Sequence, residues 1–423
     1  VFWTIRRRLA ATYQKEEKMK RLIVVLLALC MVVGSVAAGG GSDASKSAGT
    51  SAGKTFKLGA YFGITGGNAA YGIEARNGAA LAIDYVNANG GFNGVPVEMI
   101  VYDTQCSPEE AVKIANKLIQ KDQVNACIGS MNSGEVLAAA PFFNNAGIYH
   151  FGCGTAPSWM AQDWPYVFRA AMNNNNAVPI TSKLVLDVGY KTMAIFHGQE
   201  DAALSTAKKF KEEFTKLGVN VVSMESYDVG DNDFSAQIQK MLAAKPDGIL
   251  ISVIGEAGGP LVKQIRQAGY KGIIFNKESF MDSQIEVAGT AASNYIAFAN
   301  PYVTYRTPED CDIPYMADYL KKYQQKYGVM VKTDSAYRGW DTIMAMWEAS
   351  KIAKANDSKS LVAATHKVVT KGLGGSMDFT KGNREAYNTF NAFTLVGGKN
   401  VLWSDWLKKG GYDAYKKATG NVK

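Results

Sequence analysis

Hydrophobic and polar positions along the chain predict its elements before any single residue carries weight. Over 55–62 apolar side chains recur with the two-residue period of a strand, and the run ends in a glycine-rich loop, Gly63-Ile64-Thr65-Gly66-Gly67-Asn68. Ile73, Ala79, Ala80, Ile83 and Val86 then follow helical spacing up to Asn89-Gly90-Gly91, where glycine after the last turn ends a helix. The alternation continues with a strand over 97–102 and a helix over 108–121 that has proline in its first turn. A short apolar strand over 126–129, a helix over 134–144 and a strand over 148–151 follow. After Asn173 to Asn176 the pattern restarts, with a helix from Val178, strands over 192–196, 219–225, 248–253 and 272–275, and helices over 202–217, 234–244 and 260–268. Strands alternating with helices imply right-handed crossovers and parallel sheets. The fold class is therefore α/β, two doubly wound parallel-sheet units in series.

Length agrees, because the roughly 370 residues from Thr55 onward exceed one ordinary core and suit two α/β domains. Ahead of them, Met19, Lys20 and Arg21 precede an unbroken apolar run over 22–33, and small residues follow at Ser35, Ala37 and Ala38. That is the charged and apolar part of an export signal, too short at about 12 residues to span a bilayer. Residues 1–38 are expected to be a leader, with Met19 as the true start and the mature chain beginning near Gly39. Residues 39–54, almost wholly Gly, Ser, Ala and Thr, have the composition of a flexible linker. A lipid anchor on Cys30 is not expected, since Leu29 stands where a small residue is wanted.

Charge changes little. The formal +8 is mostly leader, because residues 1–38 hold 7 Lys and Arg against 2 Asp and Glu and leave 39 against 36 for the rest. A basic face for nucleic acid is not predicted. Cys106, Cys127, Cys153 and Cys311 permit disulfides in an exported chain, and spacing does not choose a pairing.

Ligands of open parallel sheets bind beyond the carboxyl ends of the strands. The informative segments are thus 65–71, 103–106, 130–135 and 153–155 in the first unit, and 197–201, 254–256 and 277–280 in the second. They are rich in hydroxyls and backbone amides and lack the parts of a catalytic centre. His150, His197 and His366 are scattered, no metal-ligand spacing occurs, and neither a phosphate loop nor a nucleophile elbow is present. No enzyme activity, metal or cofactor is expected.

Several runs, individually weak, together resemble the type I periplasmic binding proteins that serve branched-chain amino acid transporters. They are Asn87-Ala88-Asn89-Gly90-Gly91-Phe92-Asn93-Gly94, Tyr102-Asp103, Pro108-Glu109-Glu110-Ala111-Val112, Ile128-Gly129-Ser130, Gly152-Cys153-Gly154-Thr155-Ala156-Pro157 and Asp233-Phe234-Ser235-Ala236-Gln237-Ile238. The resemblance covers 55 to about 383. It implies two α/β lobes joined by three crossover segments, near 171–174, 298–302 and 374–379, which close around a ligand like a clam shell. Lobe 1 would comprise 55–172 and 301–376, and lobe 2 would comprise 173–300 and 377–423.

The resemblance also implies a site. Ser133 and Thr155 would hold an amino acid's carboxylate, with Met131 and the main chain of Cys153 beside them. Glu278 would take the ammonium, and Tyr71 would cover the side chain. The family's ligands imply an amino acid that is branched-chain or otherwise apolar; two family aromatics fall on Ala202 and Ile254, which implies a wider, more apolar pocket and leaves the exact ligand open. A family cysteine falls on Asn132, leaving Cys106 without that partner. The implied partners are a membrane permease and ATPase of an ABC transporter, with the binding protein itself a monomer. A sensor protein of the same fold for another small carboxylate or amide is the alternative. An amidase using Cys153 or Cys106 with His150 as base is the distant one.

Overall fold

The computed structural model describes residues 55–301, 307–309, 311 and 313–420. The expected leader and linker, with Met19 and Cys30, lie outside the described residues. Among the described residues the strands form two large sheets and one hairpin.

The first sheet has the order β2-β1-β3-β4-β5, all parallel, from β1 (Phe56–Phe62), β2 (Val97–Asp103), β3 (Ala126–Gly129), β4 (Tyr149–Gly152) and β5 (Val167–Arg169). The second repeats that order as β7-β6-β8-β9-β10. Its parallel strands are β6 (Thr192–Gly198), β7 (Asn220–Tyr227), β8 (Gly248–Ser252), β9 (Ile274–Asn276) and β10 (Ile296–Asn300). A hairpin of β11 (Val369–Gly372) and β12 (Gly375–Asp378) precedes β13 (Asn391–Val396) and β14 (Lys399–Leu402), which extend the second sheet antiparallel. In each sheet the strand order reverses beside the first strand, at β1/β3 and at β6/β8. Those switch points are where a doubly wound sheet opens a crevice.

Helices cover both faces. The first sheet carries α1 (Ala69–Ala88), α2 (Pro108–Lys117), α3 (Ser133–Asn145) and the short α4 (Pro157–Met160). The second carries α5 (Asn174–Asp187), α6 (Asp201–Lys216), α7 (Ser235–Ala243), α8 (Gly258–Gln267), α9 (Asp282–Ala288) and α10 (Thr290–Ser293). The chain then adds α11 (Pro314–Tyr327), α12 (Ser335–Ala353) and α13 (Ser358–Thr365) to the first lobe, and α14 (Trp403–Lys408) and α15 (Gly411–Thr419) to the second. Local signals set several boundaries. In α2 the Ser107 side chain accepts from Glu110 N, proline takes the first turn and Glu109 and Glu110 stand at the positive end. The α-helix stops at Lys117 and a wider π turn runs over Leu118–Asp122, so the single helix expected over 108–121 is two pieces.

Cores form on these layers. Leu58, Ile128 and Phe151 pack with Ile343 and Met346 of α12. Ile249, Ile251 and Ile274 pack on Phe234, Leu261 and Ile265, while Phe210, Phe214, Trp403 and Trp406 fill the opposite face. No helix among the described residues is long and apolar enough to cross a membrane.

The chain passes between the sheets after β5, after β10 and before β13. The third passage comes later than 374–379, because Met377, Phe379, Ala386 and Tyr387 still belong to the first core. A buried knot secures this region. Arg169 Nη2 lies 2.7 Å from Glu385 Oε1, and Asn173 Nδ2 donates to both Glu385 oxygens at 2.6 Å.

Candidate functional site

The loops at the two switch points face one another across a cleft. On the first lobe, β1 leads into the loop 63–68 and then α1. Asp103, at the end of β2, shapes that loop: its carboxylate accepts from Ile64 N at 2.8 Å, Thr65 N at 3.2 Å and Thr65 Oγ1 at 2.7 Å. These bonds hold the Asp103 carboxyl below the usual range, even against partial desolvation. The turn brings α1 against the loop closely enough that a Cβ on Gly72 would sit 2.0 Å from Gly63 O.

β3 delivers Met131, Asn132 and Ser133, and Ser133 opens α3 with no side-chain cap on its first turn. The loop after β4 then comes so near that a Cβ on Gly154 would lie 2.5 Å from Ser133 Oγ. Ser133 Oγ accepts from Ala156 N at 3.1 Å, and Thr155 Oγ1 accepts from Asn174 Nδ2 at 3.4 Å. Each hydroxyl therefore has its acceptor side engaged and its proton available to donate, beside helix-start amides that favour an anion.

Across the gap stand Ala202 at the start of α6, Ile254 after β8, and Lys277 and Glu278 after β9. Together with Tyr71, Met131, Asn132, Ser133, Thr155 and Arg338 they line a cleft of ≈ 360 Å³, counting space open to solvent. Lys277 Nζ lies 2.5 Å from Glu278 Oε1, both side chains being nearly buried. Glu278 Oε2 is buried with no hydrogen-bond partner, and Arg338 Nη2 lies 3.9 Å from it. Arg338 Nε donates to Asp334 Oδ2 at 2.8 Å and Nη1 to Cys153 O at 3.3 Å. Burial, then the Glu278 charge, pushes the Tyr71 phenol well above its ordinary pKa, so it stays protonated.

Of the sequence-predicted residues, Tyr71, Met131, Ser133, Thr155, Ala202, Ile254 and Glu278 line this one cleft, and Cys153 does not. Its carbonyl is occupied by Arg338, and its thiol is buried 3.8 Å from Thr342 Oγ1. Burial raises that thiol to about 11, which leaves no thiolate for nucleophilic chemistry. His150 is likewise buried, bonded to Tyr61 and Gly129.

Three lining residues escaped the sequence reading. Asn132 figures there only as the position of a family cysteine; it joins the cleft by accepting from Asn68 and donating to Glu135. Lys277 fell within a strand-end segment without a role. Arg338 sits inside α12, where no strand end announces it. Lys277 and Arg338 add two cations to a wall that also holds Ala202 and Ile254. No group of metal-ligating side chains occurs among the described residues.

The lobes meet at the cleft rim, where Ser158 Oγ donates to Asp201 Oδ2 at 2.6 Å and Lys332 Nζ lies 2.8 Å from Glu286 Oε2. Two doubly wound lobes, three crossings and a polar cleft between strand ends define a two-lobed solute-binding protein. The chain belongs to the periplasmic binding protein family, whose model matches residues 55–399.

Among its relatives, a leucine-, isoleucine-, valine-, threonine- and alanine-binding protein of Pseudomonas aeruginosa is 29% identical over 249 residues, 58% of this chain and 66% of its own length. An amino acid binding protein of the same organism is 28% identical, over 48% of this chain and 55% of its own length. The chain thus spans less than two thirds of the length of these two relatives. A Leu/Ile/Val-binding protein homolog of Brucella abortus is 25% identical over 75% of this chain and 83% of its own length. These relatives are binding proteins, in line with the absence of a catalytic motif.

Solved structures agree on the fold. A branched-chain amino acid transporter substrate binding protein of Streptococcus pneumoniae, in complex with isoleucine, superposes with TM-score 0.71 at 24% identity, covering 82% of this chain and 98% of that one. A Rhodopseudomonas palustris solute binding protein in complex with 3,4-dihydroxy benzoic acid gives 0.73 at 23%, over 82% and 95%. At such identities the likeness is one of fold alone.

Proposed function

We propose that this chain is the extracytoplasmic binding component of an ABC importer and that its cleft captures a free α-amino acid. Residues 1–38 direct export and 39–54 tether the mature protein, which acts as a monomer. Ser133, Thr155 and the start of α3 hold the ligand carboxylate, Glu278 takes the ammonium, and Tyr71 covers the side chain beside Met131, Ala202 and Ile254. The two lobes close over the ligand by bending at the three crossings, and the closed form docks on a permease whose ATPase drives import. Contacts made only on closure, above all that to Glu278, shift the open–closed equilibrium.

The observation that carries this reading is Glu278 Oε2, a buried carboxylate oxygen without a hydrogen bond, in the same cleft as two hydroxyls poised to donate. A buried acceptor left unmatched is costly, and an ammonium supplies the missing donor. The names of the relatives support an amino acid as ligand.

Calorimetry on ligand-stripped protein, with a panel of amino acids and of acids lacking the amine such as benzoate, tests the reading. An L-amino acid should bind saturably, and Glu278→Ala should weaken it by about tenfold or more, the worth of one charge-assisted hydrogen bond. Tight benzoate binding with no amino acid bound, or an affinity untouched by Glu278→Ala, would overturn it.

A further inference from the structure

We infer that the captured amino acid has a side chain ending in a carboxamide, as in glutamine or asparagine, and that Lys277 selects it. The inference rests on the amino-acid reading of the cleft and narrows it. Lys277 is 1% exposed, yet its side chain lines the cleft next to Ala202 and Ile254. Its ammonium carries three N–H donors. Among the described residues it makes one hydrogen bond, to Glu278 Oε1. Buried donors without acceptors are costly, so the cleft should receive an acceptor at this point.

The ligand's own carboxylate does not serve, because Ser133 and Thr155 claim it on the opposite lobe. The acceptor must therefore lie on the ligand side chain, beyond the α-carbon. A branched aliphatic side chain would leave Lys277 facing methyl groups.

Ile254 also lines a neighbouring pocket, whose wall includes Glu200, Tyr227, Glu256 and, from the first lobe, Asn68. Glu200 Oε2 is buried there without a hydrogen-bond partner. Burial raises the Glu200 carboxyl, and the charge of Lys277 is near enough to pull it back. A lysine with donors to spare and an unmatched carboxylate oxygen thus stand on either side of Ile254. A carboxamide suits both, its carbonyl oxygen accepting from Lys277 and its NH₂ directed past Ile254 toward Glu200. A second carboxylate would satisfy Lys277 but bring a negative charge toward Glu200 and Glu256.

The test compares glutamine, asparagine, glutamate and leucine by calorimetry on wild type, Lys277→Met and Glu200→Gln. In wild type the better amide should bind about tenfold or more tighter than leucine and tighter than glutamate. Lys277→Met should collapse the amide-to-leucine ratio toward one while leucine still binds, and Glu200→Gln should lower the same ratio. Leucine binding as tightly as either amide, glutamate binding tightest, or a ratio unmoved by both substitutions would overturn the inference and leave amino-acid capture standing. Failure of every amino acid to bind would overturn both. Should Lys277→Met not fold, the ratio in Glu200→Gln decides alone.

Discussion

Burial decides what a titratable side chain can do here, and His150 is the clearest case. Its Nε2 lies 3.0 Å from Tyr61 Oη and 3.1 Å from Gly129 O, and loss of solvent lowers its pKa from 6.5 to about 3. The native ring stays neutral where the unfolded chain takes up a proton. The contribution of His150 is therefore complete above about pH 6.5 and is lost as pH falls toward 3, with a slope approaching ~1.4 kcal/mol per pH unit. Asp341 has the opposite sign: burial raises its carboxyl from 3.8 to about 6, although Tyr387, Leu373 N and Gly374 N all donate to it. Its contribution declines as pH rises from 3.8 to 6. We expect His150→Gln to flatten the acid side of the stability profile between pH 6 and 4, measured by urea unfolding at each pH. Burial of this kind was not legible in the sequence, where His150 was one of three scattered histidines and a possible base.

The pair α1 and α12 shows what sequence leaves out at the scale of elements. Apolar spacing predicts α1, whereas α12 is implied only by the family resemblance, and in a helix a glycine reads only as a poor former. In the fold, Gly78 and Gly339 are where the two backbones touch: a Cβ on Gly78 would lie 1.9 Å from Ala336 O, and one on Gly339 2.0 Å from Ala75 O. This contact also fixes how far Arg338, the neighbour of Gly339, reaches into the cleft. Gly339→Ala should therefore destabilise the protein by about 1–3 kcal/mol through overpacking, against the small gain expected in an isolated helix. The denaturation midpoint and the ligand affinity should fall together, because Arg338 moves with its helix. The three-residue strand β5 went unnoticed for a related reason, being buried on both faces and too short to show a period.

For the molecule as a whole, the proposed function is closure, and one glycine marks how closely the lobes approach. Gly255, after β8, adopts φ +66°, and a Cβ there would meet Asn68 Oδ1 of the opposite lobe at 2.2 Å. Asn68 cannot swing away freely, since its Nδ2 donates to Asn132 Oδ1 at 3.2 Å. Gly255→Ala should cost about 1 kcal/mol in backbone strain alone. Its larger effect should be on closure, weakening ligand binding about tenfold or more and leaving a wider average opening at saturating ligand. Small-angle scattering with and without ligand, alongside calorimetry, checks both; full compaction with unchanged affinity would contradict the closed geometry.

The order of strands and helices determined where a site had to be, because parallel sheets bring every strand's carboxyl end to one edge. Tyr71, Ser133, Thr155, Ala202, Ile254 and Glu278 all lie in the loop after a strand or the first turn of the helix that follows it, so their convergence on one cleft was implicit in the chain. Tertiary structure decided the rest. Arg338 arrives from mid-helix, Cys153 turns its thiol into the core, and Lys277 pairs with its neighbour while keeping donors toward the cleft. Each of these depends on which way a side chain points and on contacts between segments far apart in sequence, neither of which a periodic pattern encodes.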